Sequence, residues 1–205
     1  MPKIAAIILA GGKASRLSGQ NKCELMIGDK SCLTLALELF DGVVDQTVIS
    51  VGNKDRHGHG KSHHIVFDWP YKAARPAVAF AILGSLDWAQ KSGFDAILTA
   101  PVDTPFLPKT FAARLKQHFN PKIPAVCKTA DGLQGLHAIW PVHCLNHLKT
   151  AIVSENRLKI SALHDRLQSI QIKFENGAAS QFYNINDQVD LENARLRWAE
   201  ASSGH

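Results

Sequence analysis

The sequence predicts an α/β protein: one domain, three layers deep (α/β/α), on a mostly parallel sheet with one hairpin excursion. Three observations predict it. Apolar, β-branched runs at Ile4–Leu9, Gln46–Val51 and 94–100 are too continuous for half-exposed strands and suit strands covered on both faces. Stretches with helical spacing alternate with them, at 32–40, 78–91 and 109–119. Glycine-rich or proline-bounded loops follow the strand ends, where open α/β sheets place their ligands.

In order, the strand at Ile4–Leu9 ends on paired glycines, and 23–27 reads as a short extended piece closed by the turn signal Gly28-Asp29. Ser31 is placed to cap a helix over 32–40, with Leu33, Leu37 and Phe40 at helical spacing. Strands follow at Gln46–Val51 and Ile65–Phe67, the second ending at Asp68, with a polar loop over 53–64 between them. Pro76 suits the first turn of the helix over 78–91, which Ser92-Gly93 closes. After the strand over 94–100 and the helix over 109–119, the runs 123–128 and 135–140 flank the turn Ala130-Asp131-Gly132 as a hairpin. Helices over 142–153 and 158–167, a strand over 170–174 and a last helix to about Ala199 complete the pattern. A single domain over 1–201 with a tail over 202–205 is expected, since no repeat, linker or low-complexity tract marks a boundary.

Composition narrows the function classes. At 205 residues, with 45% hydrophobic and 20% charged, the chain is long enough for a sizeable core and reads as globular. No apolar run reaches the length of a membrane span, and the start MPKIAAIILAGG enters the first strand without a cleavable signal pattern, so a cytoplasmic protein that avoids membranes is expected. The net charge of +5 invites polyanions, yet Lys and Arg are scattered without a basic block or an aromatic stripe. Phosphorylated small molecules fit better than nucleic acid. Four cysteines without a CxxC pair argue against a zinc ribbon or redox dithiol and for free thiols in a reducing compartment.

The stretch LAGGKASRLSGQNK, from Leu9 and Ala10 to Lys22, carries the strongest chemistry. Gly11 and Gly12 lack Cβ atoms and let bare N–H groups approach a bulky anion, while Arg16 and Lys22 supply fixed positive charge. Neither the Walker pattern GxxxxGK[ST] nor the dinucleotide fingerprint GxGxxG is met here. The second anchor is Asp103 in PVDTP, a carboxylate in a proline-stiffened turn after a central strand, suited to a metal ion or to capping a helix. Asn184 and Asn186 point to one side of an extended segment, where two amides can face a ligand, while Asn186 or Asp187 can also cap the last helix. His137 in LHAIW reads first as structural. His57, His59, His63 and His64 lack a completing carboxylate or Cys and read as a solvated loop, and Gly60-Lys61-Ser62 is no phosphate loop, because Asp55 stands where its first glycine belongs.

Three segments together, LAGG with its Arg and Lys, APVDTPFLP, and NINDQVDLENA, resemble the molybdenum cofactor guanylyltransferases, nucleotidyltransferases that share a sugar-nucleotide pyrophosphorylase fold. The resemblance spans nearly the whole chain and implies a Rossmann-like fold of the nucleotide-diphospho-sugar transferase type. It implies transfer of GMP from GTP to molybdopterin cofactor with release of pyrophosphate. Under it, Leu9, Ala10, Gly11, Gly12, Arg16 and Lys22 hold the triphosphate, and Asp103 holds Mg²⁺. Ser50 and Asp68 contact the nucleotide, with Asp68 accepting from a guanine amino edge, and Asn184, Asn186 and the His137 segment lie toward the pterin. It also implies transient contact with molybdenum cofactor carrier or acceptor proteins, and a monomer or weak oligomer. The chain departs from the family pattern at Asn21 (Asp is usual), at Ser18 (Gly is usual) and at Arg75-Pro76-Ala77-Val78-Ala79, where a GPLAG-type segment is expected. Base and acceptor thus stay open between GTP with molybdopterin, CTP or another phosphorylated acceptor, and a catalytically silent relative that binds cofactor.

Overall fold

The computed structural model describes residues 1–11, 17, 19–52, 63–69, 77–154, 159–174 and 181–203. Its elements are β1 (Ile4–Leu9), the short hairpin β2 (Met26–Ile27) and β3 (Lys30–Ser31), α1 (Cys32–Phe40), β4 (Gln46–Val51), β5 (Ile65–Phe67) and α2 (Ala77–Lys91). They continue with β6 (Ala96–Pro101), α3 (Phe111–Gln117), β7 (Ala125–Thr129), β8 (Gly132–Pro141), α4 (Cys144–Ser154), α5 (Ile160–Arg166), β9 (Ile170–Lys173) and α6 (Gln188–Ser203).

Seven strands form one sheet in the order β5-β4-β1-β6-β8-β7-β9. Only β8 opposes its neighbours, because the Ala130-Asp131-Gly132 turn folds it straight back on β7; every other pairing is parallel. The chain winds outward from β1 to β4 and β5, then crosses back over β1 to β6. Strand order therefore reverses between β1 and β6, and the carboxyl ends of those two strands mark the place where open α/β sheets bind ligands.

Alternation along β1 feeds two cores. Ile4, Ala6 and Ile8 pack with Phe40 of α1, Phe111 and Leu115 of α3, and Leu191 and Ala194 of α6. Ala5, Ile7 and Leu9 pack with Ile82 and Leu86 of α2, Leu148 of α4 and Leu163 of α5. This is the expected three-layer arrangement, with helices on both faces of the sheet. All four cysteines are free and buried, and burial pushes the Cys32 and Cys144 thiols up to about 12, which leaves them as inert packing groups at neutral pH.

Several boundaries shift for local reasons. The extended piece expected over 23–27 begins instead as a 3₁₀ turn, Lys22–Glu24, because the Asn21 side chain accepts from the Cys23 amide at 3.1 Å and caps it. The cap uses a side-chain oxygen, which Asn offers as well as the family's usual Asp. β7 starts at Ala125 because Asn120 Oδ1 accepts from the Lys122 and Ile123 amides and holds them in a turn. The final helix runs to Ser203, through part of the expected tail, with the Ser202 and Ser203 hydroxyls donating to the Trp198 and Ala199 carbonyls. Ser31 caps α1 as expected, accepting from the Thr34 amide at 3.1 Å. Among the described residues, no helix is long and apolar enough to cross a membrane.

Candidate active site

The residues singled out from the sequence leave the sheet at the carboxyl ends of four neighbouring parallel strands. Leu9 stands level with Ser50 on one side and Pro101 on the other, and Val51 is level with Phe67. Beyond that line the chain is tied by backbone bonds: the Ala10 amide donates to Ser50 O at 2.9 Å, Val102 to Leu9 O at 3.1 Å, and Asp68 to Val51 O at 3.1 Å. Ala10, Ser50 and Asp68 are thus fixed by bonds that continue the ladder, and Gly11 and Asp103 follow directly on Ala10 and Val102.

On one side of the β1 end lies an ion pair. Lys22, presented by its 3₁₀ turn, donates to Asp103 Oδ2 at 2.5 Å and to the Ile185 carbonyl at 2.8 Å. The Ile185 amide in turn donates to the Asp103 carbonyl at 2.9 Å. Both charged side chains are mostly covered, with exposures of 21% for Lys22 and 16% for Asp103. Three segments far apart in sequence therefore meet here, and Asn184 and Asn186, both exposed, flank the buried Ile185 that makes the junction. The asparagine segment is also organised for the last helix: Asp187 Oδ1 accepts from the Asp190 amide, and Asp190 Oδ2 accepts from the Asn186 amide at 2.8 Å.

Asp103 Oδ1 is buried and, among the described residues, has no hydrogen-bond partner. A buried acceptor left open carries a desolvation cost of about 1–3 kcal/mol, more when charged, so this atom favours a bound partner. A hard divalent cation, which takes anionic oxygen, fits this atom. Among the described residues no group of three or more His, Cys, Asp or Glu side chains gathers to hold a metal. Asp103 therefore suits an ion of the Mg²⁺ type, which keeps waters and substrate phosphates as its other ligands.

On the other side of the β1 end lie Ser50, Asp68 and Gly11. The Ser50 hydroxyl donates to Asp68 Oδ1 at 3.4 Å, and burial pushes the Asp68 carboxyl up to about 6, with the Ser50 bond opposing the rise. A Cβ added at Gly11 would lie 3.6 Å from the Gly52 amide and 3.8 Å from Asp68 Oδ2, ordinary contacts. The protein's own packing therefore does not demand glycine at this position.

Gly84 is the opposite case, and the sequence reading passed over it. A Cβ there would lie 2.4 Å from the Phe67 carbonyl oxygen and 2.9 Å from the Trp69 nitrogen, so bare glycine lets α2 lie directly on the segment that carries Asp68. The same segment is tied to α2 by the Trp69 amide donating to Phe80 O at 3.0 Å. The available signal was a lone glycine inside an apolar helix, which costs about 1 kcal/mol against alanine and calls for a packing reason. Ile185, the other junction missed, acts through its backbone and has no residue signature.

Gly12, Arg16 and Ser18 of the first loop, His57, His59, Gly60, Lys61 and Ser62, and Arg75 and Pro76 lie outside the described residues. His137 is buried and held neutral, its pKa lowered to about 3 by desolvation, with Nε2 3.3 Å from Thr104 Oγ1 and its ring edge-on to Phe111 and Phe182. That is the structural role expected first. His64 stacks at a tilt on Trp88, 5.4 Å between ring centres.

Known proteins of similar sequence and shape carry the comparison further. A molybdenum cofactor guanylyltransferase of Acidiphilium cryptum is 28% identical over 191 residues, covering 93% of this chain and 93% of that protein. Among solved structures, a molybdopterin-guanine dinucleotide biosynthesis protein A from Archaeoglobus fulgidus aligns with a TM-score of 0.69 at 20% identity, covering 96% of this chain and 99% of that one. A Mycobacterium tuberculosis protein solved in complex with manganese aligns with a TM-score of 0.63 at 14% identity over 95% of this chain and 98% of its own. Residues 6–169, from within β1 almost to the start of β9, match the family described as the MobA-like NTP transferase domain, and the chain belongs to that family.

Proposed function

We propose that this chain is a cytoplasmic molybdenum cofactor guanylyltransferase, one catalytic domain over 1–201, that transfers GMP from GTP to molybdopterin. A phosphate oxygen of the acceptor attacks the α-phosphorus of GTP, the bond from that phosphorus to the bridging oxygen breaks, and pyrophosphate leaves. Both reactants are anions and no side-chain nucleophile is needed, so the protein's work is alignment and charge stabilisation.

The single observation that carries this reading is the buried, unpartnered Asp103 Oδ1 beside the Lys22 ammonium at the point where strand order reverses. Family membership supports it, since the relative from Acidiphilium cryptum is named for this activity. Asp103 would hold Mg²⁺, which when bound neutralises phosphate charge and acts as a Lewis acid. Lys22 and Arg16 neutralise the triphosphate, while the backbone of Leu9, Ala10, Gly11 and Gly12 gives it a bare surface; a glycine at 11 that packing does not require agrees with this. Ser50 and Asp68 orient the guanosine end, with Asp68 accepting from the base. Asn184 and Asn186 face the pterin. The product then passes to molybdenum cofactor carrier or acceptor proteins by transient contact, from a monomer or weak oligomer.

Thermal unfolding with GTP, CTP, ATP or UTP, each with Mg²⁺, tests base choice. A ligand at a hundred times its Kd adds about 2.7 kcal/mol to stability by mass action, and GTP alone should produce the large shift. Stabilisation by CTP instead would move the reading to a sister nucleotidyltransferase. Pyrophosphate release with GTP and molybdopterin tests the chemistry, and nucleotide binding without release would mark a silent relative.

A further inference from the structure

Lys22 performs two jobs in the free protein. Its ammonium neutralises Asp103 Oδ2 at 2.5 Å, and the same ammonium holds the Ile185 carbonyl at 2.8 Å. The other carboxylate oxygen, Oδ1, is buried and open. A divalent cation on Oδ1 would share one carboxylate with the Lys22 charge, and like charges at that separation in a covered site repel strongly. Lysine, a flexible point charge, gains another anionic acceptor when nucleotide phosphates arrive with the ion.

We propose that Lys22 is the resident counter-cation of Asp103 and yields that carboxylate to the divalent ion, and that its departure unlatches the 184–186 segment. The inference rests on the nucleotidyltransferase reading and adds an order of events to it. In the free state the segment has two ties to this corner, the Lys22 bond to Ile185 O and the Ile185 amide bond to Asp103 O at 2.9 Å. Transfer of the ammonium to phosphate removes the first. The remaining tie runs through the backbone of Asp103, the residue that receives the ion. The segment, still held at Asn186 by the bond from its amide to Asp190 Oδ2, can then adjust around Asn184 and Ile185 only after nucleotide and metal are in place, so the nucleotide binds first and the acceptor second. Lys22 is in this sense a positioning residue for the acceptor side as well as a contact to phosphate.

Metal binding without nucleotide separates this idea from activity. Titration of the full chain with Mn²⁺, followed by the electron paramagnetic resonance signal of the free ion, should show the Lys22→Met variant binding Mn²⁺ about tenfold more tightly than wild type, because a competing charge next to the carboxylate has gone. Asp103→Asn should lose the site. Equal or weaker Mn²⁺ binding by Lys22→Met overturns the exchange, and a general folding defect cannot imitate a gain in affinity. On the wild-type chain, which needs no variant to fold, hydrogen exchange at the Ile185 amide should speed up several-fold when Mn²⁺ and a non-hydrolysable GTP analogue are added. Unchanged or slower exchange overturns the latch. If the analogue with Mn²⁺ gives no thermal stabilisation at all, the nucleotide reading itself has failed, an outcome separate from either result above.

Discussion

Two sets of buried polar groups lie along the sheet, and they differ in one respect. Under β8, Trp140 Nε1 donates to Thr99 Oγ1 at 3.1 Å, Thr99 donates to the Leu136 carbonyl at 2.7 Å, and the His164 ring has Ser169 Oγ and Gly135 O each at 2.9 Å. His164 also lies against Trp140, 4.4 Å between ring centres, and burial lowers its pKa to about 4. Each of these groups is matched from within the protein. At the β6 end, by contrast, Lys22 and Asp103 form a mostly buried ion pair and Asp103 Oδ1 is left open. The closed set has the character of packing, since a satisfied network specifies one core arrangement. The open set has the character of a site, because none of the described residues supplies its last partner.

The sharpest way to break that contrast is to remove one group from each set. Asp103→Ala should reduce pyrophosphate release by about 10²–10³-fold, the scale of losing a central electrostatic element, while the chain still folds. Turnover within a factor of a few of wild type would show that the open oxygen has no catalytic meaning.

Gly84→Ala comes next, because it acts on the site from behind. The new methyl group would press on the Phe67 carbonyl and the Trp69 nitrogen, and relief must come from moving the helix or the segment bearing Asp68. A loss of about 1–3 kcal/mol in denaturant unfolding is expected. Nucleotide KM should rise with it, whereas a purely local packing defect would leave KM alone. Trp140→Phe, in the closed set, should cost about 2 kcal/mol, for the lost donor and the space left by a fully buried indole, and leave turnover unchanged.

The contrast also explains what could be read before any coordinates. β1, α1, β4 and β5 lie where apolar runs, a serine cap and turn residues place them, since those signals are local. Asp103 and Asp68 stand out as carboxylates at strand ends and Lys22 as a charge in the loop stretch after β1, and the structure puts both carboxylates at carboxyl ends of the sheet with the Lys22 ammonium on Asp103. What could not be read is who partners whom. Lys22 and Asp103 are separated by 81 positions, and their pairing follows from strand order rather than from any motif. The junction through Ile185 uses main-chain atoms, which every residue type provides. Gly84 matters through what it lacks, and only the position of the Phe67–Trp69 backbone reveals that.

The smallest effect concerns Asp68, the titrating group on the far side of the β1 end. Burial raises its pKa to about 6, so the fold favours the neutral acid. The sign follows: the folded state holds this proton more tightly than the unfolded chain, so stability falls as pH rises from about 4 to about 6 and is level above that. Asp68→Asn should accordingly raise Tm at pH 7 to 8 and change it little at pH 4. Base recognition runs the opposite way, because only the carboxylate accepts two hydrogen bonds from an amino edge. With half of the carboxyl protonated near pH 6, GTP affinity measured by fluorescence titration should fall about twofold between pH 7 and 6, and the dependence should vanish in Asp68→Asn. A wild-type affinity flat across that range would mean that Asp68 does not read the base, and the open Asp103 corner would then be the functional side of the β1 end without it.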